Sequence, residues 1–163
     1  MQVLALFGVS VLMSFVASSI VAALYIWPRL KAMRREDALL PLVVPHMFRF
    51  VGLSFLVPGV VSPSLSPAFA APAAYGDLVA AVLAIIATLA LAARVAWATA
   101  IVWLFNIWGA GDLLNNFYQG VIGVGLEPGT LGAAYFIPTL VVPPLLVTHA
   151  MIFGLLLRRP GDG

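Results

Sequence analysis

Long apolar stretches fill most of this chain, and short polar segments separate them. A run of about 20 apolar residues is long enough to cross the hydrocarbon core of a bilayer as a helix. Five such runs are found between the polar segments, which predicts an all-α integral membrane protein built as a five-helix transmembrane bundle. The predicted spans cover about residues 3–27, 39–61, 77–93, 95–117 and 135–157 of a single transmembrane domain, 1–163.

The apolar stretch from 77 to 117 is too long to cross the membrane once. About 40 residues of helix would extend about 60 Å, twice the thickness of the hydrocarbon core. Arg94 divides the stretch, so we expect two helices joined by a tight turn at this residue. The alternative is one long helix in a four-span protein, which would place Arg94 in hydrocarbon and move the C-terminus to the other side of the membrane.

Prolines affect two of the predicted boundaries. Pro41 and Pro45 predict a second helix that is bent or that begins late, at Leu39 or at Pro45, because proline lacks the amide proton needed inside a helix. The segment 62–76 is rich in Pro, Ser and Ala and has no charge, which is typical of a loop. We therefore expect 62–76 to be a loop on the outer side.

The basic residues predict the orientation of the chain. Of its eight Lys and Arg residues, seven lie in three clusters: Arg29, Lys31, Arg34 and Arg35; Arg94; and Arg158 and Arg159. Because Lys and Arg favour cytoplasmic loops, the clusters predict an N-terminus outside and a C-terminus in the cytoplasm. No basic residue precedes the first span, and the span is longer than the apolar core of a signal peptide. We therefore expect it to be an uncleaved first helix. These features predict a multi-pass protein of the plasma (inner) membrane.

Composition excludes several classes of function. The chain is 63% hydrophobic and 9% charged, and its mean hydropathy is +1.12, so it has too few polar residues to cover a soluble domain. The net charge of +2 comes from the loop clusters and does not indicate nucleic-acid binding. Cysteine is absent, which excludes disulfides, thiolate catalysis and iron–sulfur clusters.

Polar side chains within the predicted spans are the candidate functional residues, because such groups are costly in hydrocarbon. The candidate ligand-binding residues are His46, Arg49, Trp103, Asn106, Asp112 and His149. Counting ~1.5 Å per residue from the inner boundary places both histidines about 13 Å deep, on different helices. Arg49 shares a helix face with His46 and lies near the midplane, level with Asn106.

In the first interpretation, these residues line an intramembrane pocket that binds membrane lipids or a lipophilic small molecule. Arg49 would bind an acidic or carbonyl head group, and a histidine could transfer a proton in a catalytic step. Asp112 would lie near the outer entrance. We favour this interpretation, which leaves both a binding protein and an enzyme open.

Two further interpretations compete with the pocket. His46 and His149 could be the axial ligands of a b-type haem. A zinc site is not expected, because two imidazoles do not complete the coordination of zinc. Alternatively, Arg49 pairs with Asp112 or with backbone carbonyls, and the polar residues only connect helices. The protein would then be an accessory or assembly subunit of a larger membrane complex, or a homo-oligomer.

Overall fold

The computed structural model describes residues 2–158, which are helical apart from short connections. An isolated bridge joins Pro58 to Val61, and residues 2–158 contain no strand. The long helices are α1 (Gln2–Leu30), α2 (Arg35–Leu56), α3 (Pro67–Ala92), α4 (Ala98–Tyr118) and α5 (Ile137–Leu157). A short 3₁₀ segment, Pro128–Tyr135, precedes α5. Arg159, part of the third basic cluster, lies outside the described residues.

Helices α1, α2, α3 and α5 are long and apolar enough to cross a membrane. Helix α4 has sufficient length but is less apolar, because it contains several polar side chains. They are Asn106, Asp112, Asn115 and Asn116. The helical fold and the four apolar helices of the described residues support the predicted membrane-protein class.

The chain reverses direction at Arg94. Helix α3 ends at Ala92 and α4 begins at Ala98, so the stretch 77–117 is divided between two helices and the alternative of one continuous helix is wrong. Arg94 has a left-handed backbone conformation with φ of 53°, which is uncommon for a residue with a side chain. Its guanidinium lies 3.3 Å from the carboxylate of Asp37 in α2, and both side chains are exposed.

The basic segments meet at one end of the bundle, which we call the basic end. Arg35 donates a hydrogen bond to the carbonyl of Arg158, and Arg158 donates one to the carbonyl of Lys31 at 3.0 Å. With the ion pair between Arg94 and Asp37, these contacts connect the α1–α2 loop, the α3–α4 turn and the end of α5. The basic clusters that are separate in sequence are therefore neighbours in the fold.

Helix α3 begins inside the segment predicted to be a loop. Its first residue is Pro67, so the loop prediction for 62–76 is wrong from that residue onward. Proline is well suited to the first turn of a helix, where its missing amide proton is not needed. The alanines that follow are the strongest helix formers, and Pro72 is accommodated inside the helix.

Helix α2 changes its winding along its length. Its first part, Arg35–Val43, is α-helical and contains Pro41, and Val44–Leu56 is a 3₁₀ helix with Pro45 in its first turn. The helix therefore begins before either predicted start. A 3₁₀ helix has three residues per turn, so residues three apart lie in one row. The buried residues of this segment form such a row: His46, Arg49, Gly52 and Phe55.

Small side chains on α3 allow neighbouring helices to come close. Most of its buried residues are alanines: Ala70, Ala73, Ala74, Ala80, Ala81, Ala84, Ala87 and Ala90. Helices α2 and α4 make the most extensive contacts with α3. Small residues at such contacts let the helix backbones approach each other, as in other membrane bundles.

Buried apolar residues of the described bundle form one cluster toward each end. The cluster at the basic end includes Leu39, Val102 and Ile152, and the cluster at the opposite end includes Phe69 and Leu113. Polar side chains occupy the region between the clusters. We call them the polar layer: His46, Arg49, Asp77, Asn106, Asp112 and His149.

A larger side chain on the buried face of α3 should destabilise the bundle. Ala84 has no exposed surface, so Ala84→Leu is expected to lower the free energy of unfolding by about 1–3 kcal/mol through overpacking. Val82→Leu is the control, since Val82 is 47% exposed and a change there should stay within about 0.5 kcal/mol. Unfolding of both variants in detergent, followed by circular dichroism, measures the difference. Equal stabilities would contradict the packing described.

Candidate functional site

Arg49 lies at the centre of the polar layer and is 2% exposed. Its Nε donates a hydrogen bond to Oδ1 of Asp77 at 2.8 Å, and its Nη2 donates one to Oδ2 of Asp112 at 2.6 Å. Its Nη1 donates to the carbonyl of Gly109 at 3.1 Å. A single guanidinium thus connects α2 to both α3 and α4. Charged hydrogen bonds of this kind are what make a buried charge tolerable.

Glycines leave the space that the two carboxylates occupy. A Cβ atom on Gly52 of α2 would collide with the carboxylate of Asp77, and a Cβ atom on Gly76 of α3 would collide with that of Asp112. Each aspartate therefore lies against the bare backbone of a neighbouring helix. This close approach allows both side chains, which are short, to reach the same guanidinium.

Gly109 brings the ion network next to the histidines. A Cβ atom on this residue would lie 2.9 Å from Nη1 of Arg49, and 2.7 Å and 2.9 Å from Cε1 and Nε2 of His149. Both side chains therefore pack over the backbone of α4 at one position. Any larger residue at 109 would have to displace one of them.

His46 and His149 are in contact within the polar layer. Their ring centroids are 4.2 Å apart, so the two residues lie at the same level of the bundle. His46 Nε2 lies 2.9 Å from Thr148 Oγ1, and that hydroxyl donates to the carbonyl of Leu145 at 2.8 Å. His149 Nδ1 lies 2.6 Å from Asn106 Oδ1, while the amide nitrogen of Asn106 donates to the carbonyl of His149 at 3.2 Å.

These contacts determine which ring nitrogens carry hydrogen. The hydroxyl of Thr148 donates its hydrogen to the carbonyl of Leu145, so the hydroxyl oxygen accepts a hydrogen bond from Nε2–H of His46. The amide oxygen of Asn106 accepts one from Nδ1–H of His149. The other ring nitrogens, His46 Nδ1 and His149 Nε2, are buried and have no hydrogen-bond partner within residues 2–158. Each therefore carries a lone pair, and both imidazoles are neutral.

A cavity of about 1030 Å³ lies beside the polar layer, toward the end opposite the basic end. Its wall is mainly apolar, and α1 forms part of it through residues that include Phe7 and Val11. Asp77, Asn116 and Glu127 also line the cavity, and the first two link it to the ion network. Asp77 contacts the guanidinium directly, and the amide nitrogen of Asn116 donates to Asp112 at 3.3 Å.

The structure brings most of the predicted site residues together. Those in the polar layer are His46, Arg49, Asn106, Asp112 and His149. Trp103 lies apart and packs against Phe153, with ring centroids 5.8 Å apart. In the described part of the chain, none of the six predicted residues lines the cavity. Arg49 also directs each of its three nitrogens to partners within the protein, which differs from the expected binding of an acidic head group.

Asp77 is a central site residue that the sequence prediction omits. The apolar pattern places it at the start of the third span, where water could hydrate it, because 62–76 is expected to be a loop. Since α3 begins at Pro67, Asp77 is instead well inside a helix. A signal for its role is present in the sequence: Gly-Asp-Leu occurs at 76–78 and again at 111–113, and the two aspartates are the two partners of the guanidinium.

Gly76→Ala is expected to break the contact between Arg49 and Asp112, because the new methyl group would occupy the space of the carboxylate. Separating a buried ion pair costs up to about 3–5 kcal/mol, so the variant should unfold at a lower temperature in detergent. Gly111→Ala is the matched control, since it changes the other Gly-Asp-Leu and a Cβ atom there meets nothing within 4 Å. Alanine at 111 should be neutral or stabilise α4 by about 1 kcal/mol. Equal losses in both variants would contradict the ion network.

Comparison with known proteins identifies one family for this chain. The sequence profile described as "Domain of unknown function (DUF8737)" matches residues 6–157. The match includes every residue of the polar layer and nearly all of the long helices. Neither curated proteins nor solved structures show a significant match. The chain therefore belongs to the family of the domain of unknown function DUF8737.

Proposed function

We propose that this protein is a multi-pass membrane protein that binds an amphipathic or lipophilic molecule in the cavity beside the polar layer. The observation that carries the proposal is the composition of the cavity wall, which is mainly apolar but includes Asp77, Asn116 and Glu127. A large apolar pocket with a few convergent polar groups is typical of ligand sites. The volume of about 1030 Å³ suits a lipid or a drug-sized molecule.

The orientation of the ligand follows from the distribution of polar groups around the cavity. Its apolar part packs against α1, through Phe7 and Val11, and its polar part lies near Asp77 and Asn116. Helix α1 has many exposed large side chains, and we propose that lipid covers its outer surface. Membrane lipids and lipophilic small molecules both match this arrangement.

All five long helices cross the plasma membrane in this proposal. Helix α4 is the least apolar, but Asn106 is buried and Asp112 contacts Arg49, so these polar groups point into the protein and not toward lipid. The basic end lies in the cytoplasm, in accordance with the preference of Lys and Arg for that side. The N-terminus, and the end of the bundle that contains the cavity, then lie toward the outside.

The alternatives receive unequal support. The contacts of all three Arg49 nitrogens with partners inside the protein favour the accessory subunit, because they give the charge a structural role. Acid–base catalysis on the ligand has little support, since His46 and His149 lie outside the cavity wall. Haem has less, because a porphyrin between its two axial ligands would separate rings that here touch each other. Within the described residues, no group of three or more His, Asp or Glu side chains could hold a metal ion.

Single cysteines test the proposed topology, because the native chain has none. Ala32→Cys in the α1–α2 loop and Ala96→Cys in the α3–α4 turn replace exposed residues, and a membrane-impermeant maleimide should label them only from the cytoplasmic side. Ser64→Cys and Gly129→Cys, also at exposed positions, should be labelled only from outside. Labelling of Ala96→Cys and Ser64→Cys from the same side would contradict the proposed crossings.

Filling the cavity tests the proposed binding site. Val11 is half-buried and lines the cavity, so Val11→Trp should reduce the lipophilic molecules that co-purify with the protein by about tenfold, a loss of about 1.4 kcal/mol of binding. Val9→Trp is the matched control on the same helix, since Val9 is 58% exposed and lies outside the cavity wall. Native mass spectrometry measures the bound molecules. An unchanged ligand complement in a normally folded Val11→Trp protein would favour the accessory subunit instead.

A further inference from the structure

We infer that the ligand of this cavity carries a positive charge and that its binding displaces one proton from the polar layer. The inference rests on the proposed ligand-binding function and adds the chemical class of the ligand, a lipophilic amine or quaternary ammonium compound. Two observations carry it: the charges assembled in the polar layer and the position of Asp77 at the cavity wall.

The polar layer contains two carboxyl groups but one guanidinium, and its other two titratable groups are imidazoles. Its titratable side chains come from four helices: His46 and Arg49 from α2, Asp77 from α3, Asp112 from α4 and His149 from α5. The hydrogen-bond pattern makes both imidazoles neutral, so two carboxylates face one guanidinium. With both carboxylates ionised, the layer carries one net negative charge. A net charge in such a buried position costs several kcal/mol, so a positive charge is needed to balance it.

Asp77 lies at the wall of the cavity. Its Oδ1 accepts the hydrogen bond from Arg49, and its Oδ2 lies over the backbone of Gly52, in the space that a Cβ atom of that residue would fill. The side chain is 6% exposed, and the residue lines the cavity, as does Glu127, a second acidic residue, which is exposed. A cationic head group in the cavity can therefore contact the carboxylate of Asp77 directly. An anionic head group would meet the carboxylate first, and the guanidinium behind it is already occupied.

A proton takes the place of the cation when the cavity is empty. Asp77 Oδ1 and Asp112 Oδ2 lie 2.7 Å and 2.6 Å from the same nitrogen, Nη2 of Arg49, so the two carboxylates titrate as a coupled pair. One proton bound to either of the two carboxylates makes the polar layer neutral. When a cationic head group reaches Asp77, it supplies the balancing charge, the O–H bond breaks and the proton passes to water and then to the buffer. One cation enters for each proton released, and the layer is neutral in both states.

Three ligands that share a decyl chain separate the effect of charge from apolar contact. Decyltrimethylammonium has a permanent positive charge and no titratable proton, decanol is neutral, and decanoate is negative. Full-length protein in phosphatidylcholine nanodiscs is titrated with each ligand at pH 7, with empty nanodiscs as the blank. Isothermal titration calorimetry in two buffers of different ionisation enthalpy gives the Kd and the number of protons released.

We expect the ammonium compound to bind at least about tenfold more tightly than the alcohol, because it gains a charged contact. Decanoate should bind most weakly of the three. Each bound cation should release about one proton, as the balance of the coupled pair requires, and bound alcohol should release none. Asp77→Asn should abolish both the preference and the proton release while decanol still binds. Asp37→Asn is the matched control, since it makes the same change in an exposed residue at the basic end and should behave as the wild type.

Each other outcome has a definite meaning. Equal affinities for the ammonium compound and the alcohol, or cation binding without proton release, would overturn the inference and leave the ligand-binding proposal standing. If none of the three ligands binds above the blank, the proposed function itself fails. If Asp77→Asn does not fold, Asp112→Asn tests the same charge balance from the other side of the guanidinium. Unchanged proton release in a folded Asp112→Asn protein would also overturn the inference.

Discussion

The burial of one guanidinium constrains how this bundle can be assembled. Arg49 cannot remain in the interior without acceptors for its hydrogens, and it obtains them from α3 and α4 at the same time. Both helices must therefore lie within reach of α2 at the same depth. The 3₁₀ winding of α2 places Arg49 in one row with His46 and Gly52, so the residue that needs acceptors and the glycine that admits Asp77 face the same neighbour.

Close packing makes this arrangement possible and depends on residues with little or no side chain. Lipid is as apolar as leucine, so helices in a membrane gain little from apolar contact alone and rely on close approach and on polar contacts. The alanines of α3 allow the close approach, and the network of Arg49, Asp77 and Asp112 supplies the polar contacts. Gly76 lies against Asp112, so the close packing of α3 and α4 and the ion network depend on the same residue.

Sequence reasoning predicts the features that depend on local pattern and misses those that depend on how helices pack. Counting along each helix from the predicted inner boundary places His46 and His149 at one level, and the charge of Arg94 indicates a turn; the two rings touch, and the chain turns at Arg94. The role of Asp77 is missed because proline and serine are interpreted as loop signals, although alanine continues the helix. The cavity could not be predicted, since its volume depends on the distance of α1 from the other helices and not on any residue pattern.

The apolar cluster at the basic end bears on how the protein would affect the permeability of a membrane. Leu39, Val102 and Ile152 come from different helices and lie between the polar layer and the loops of the basic end. An ion entering this cluster would lose its hydration shell without receiving other ligands. The described bundle would thus exchange protons or cations with one aqueous compartment alone. In the proposed orientation, this conformation would leave the electrochemical gradient of the cell intact, without the leak that a continuous polar path would create.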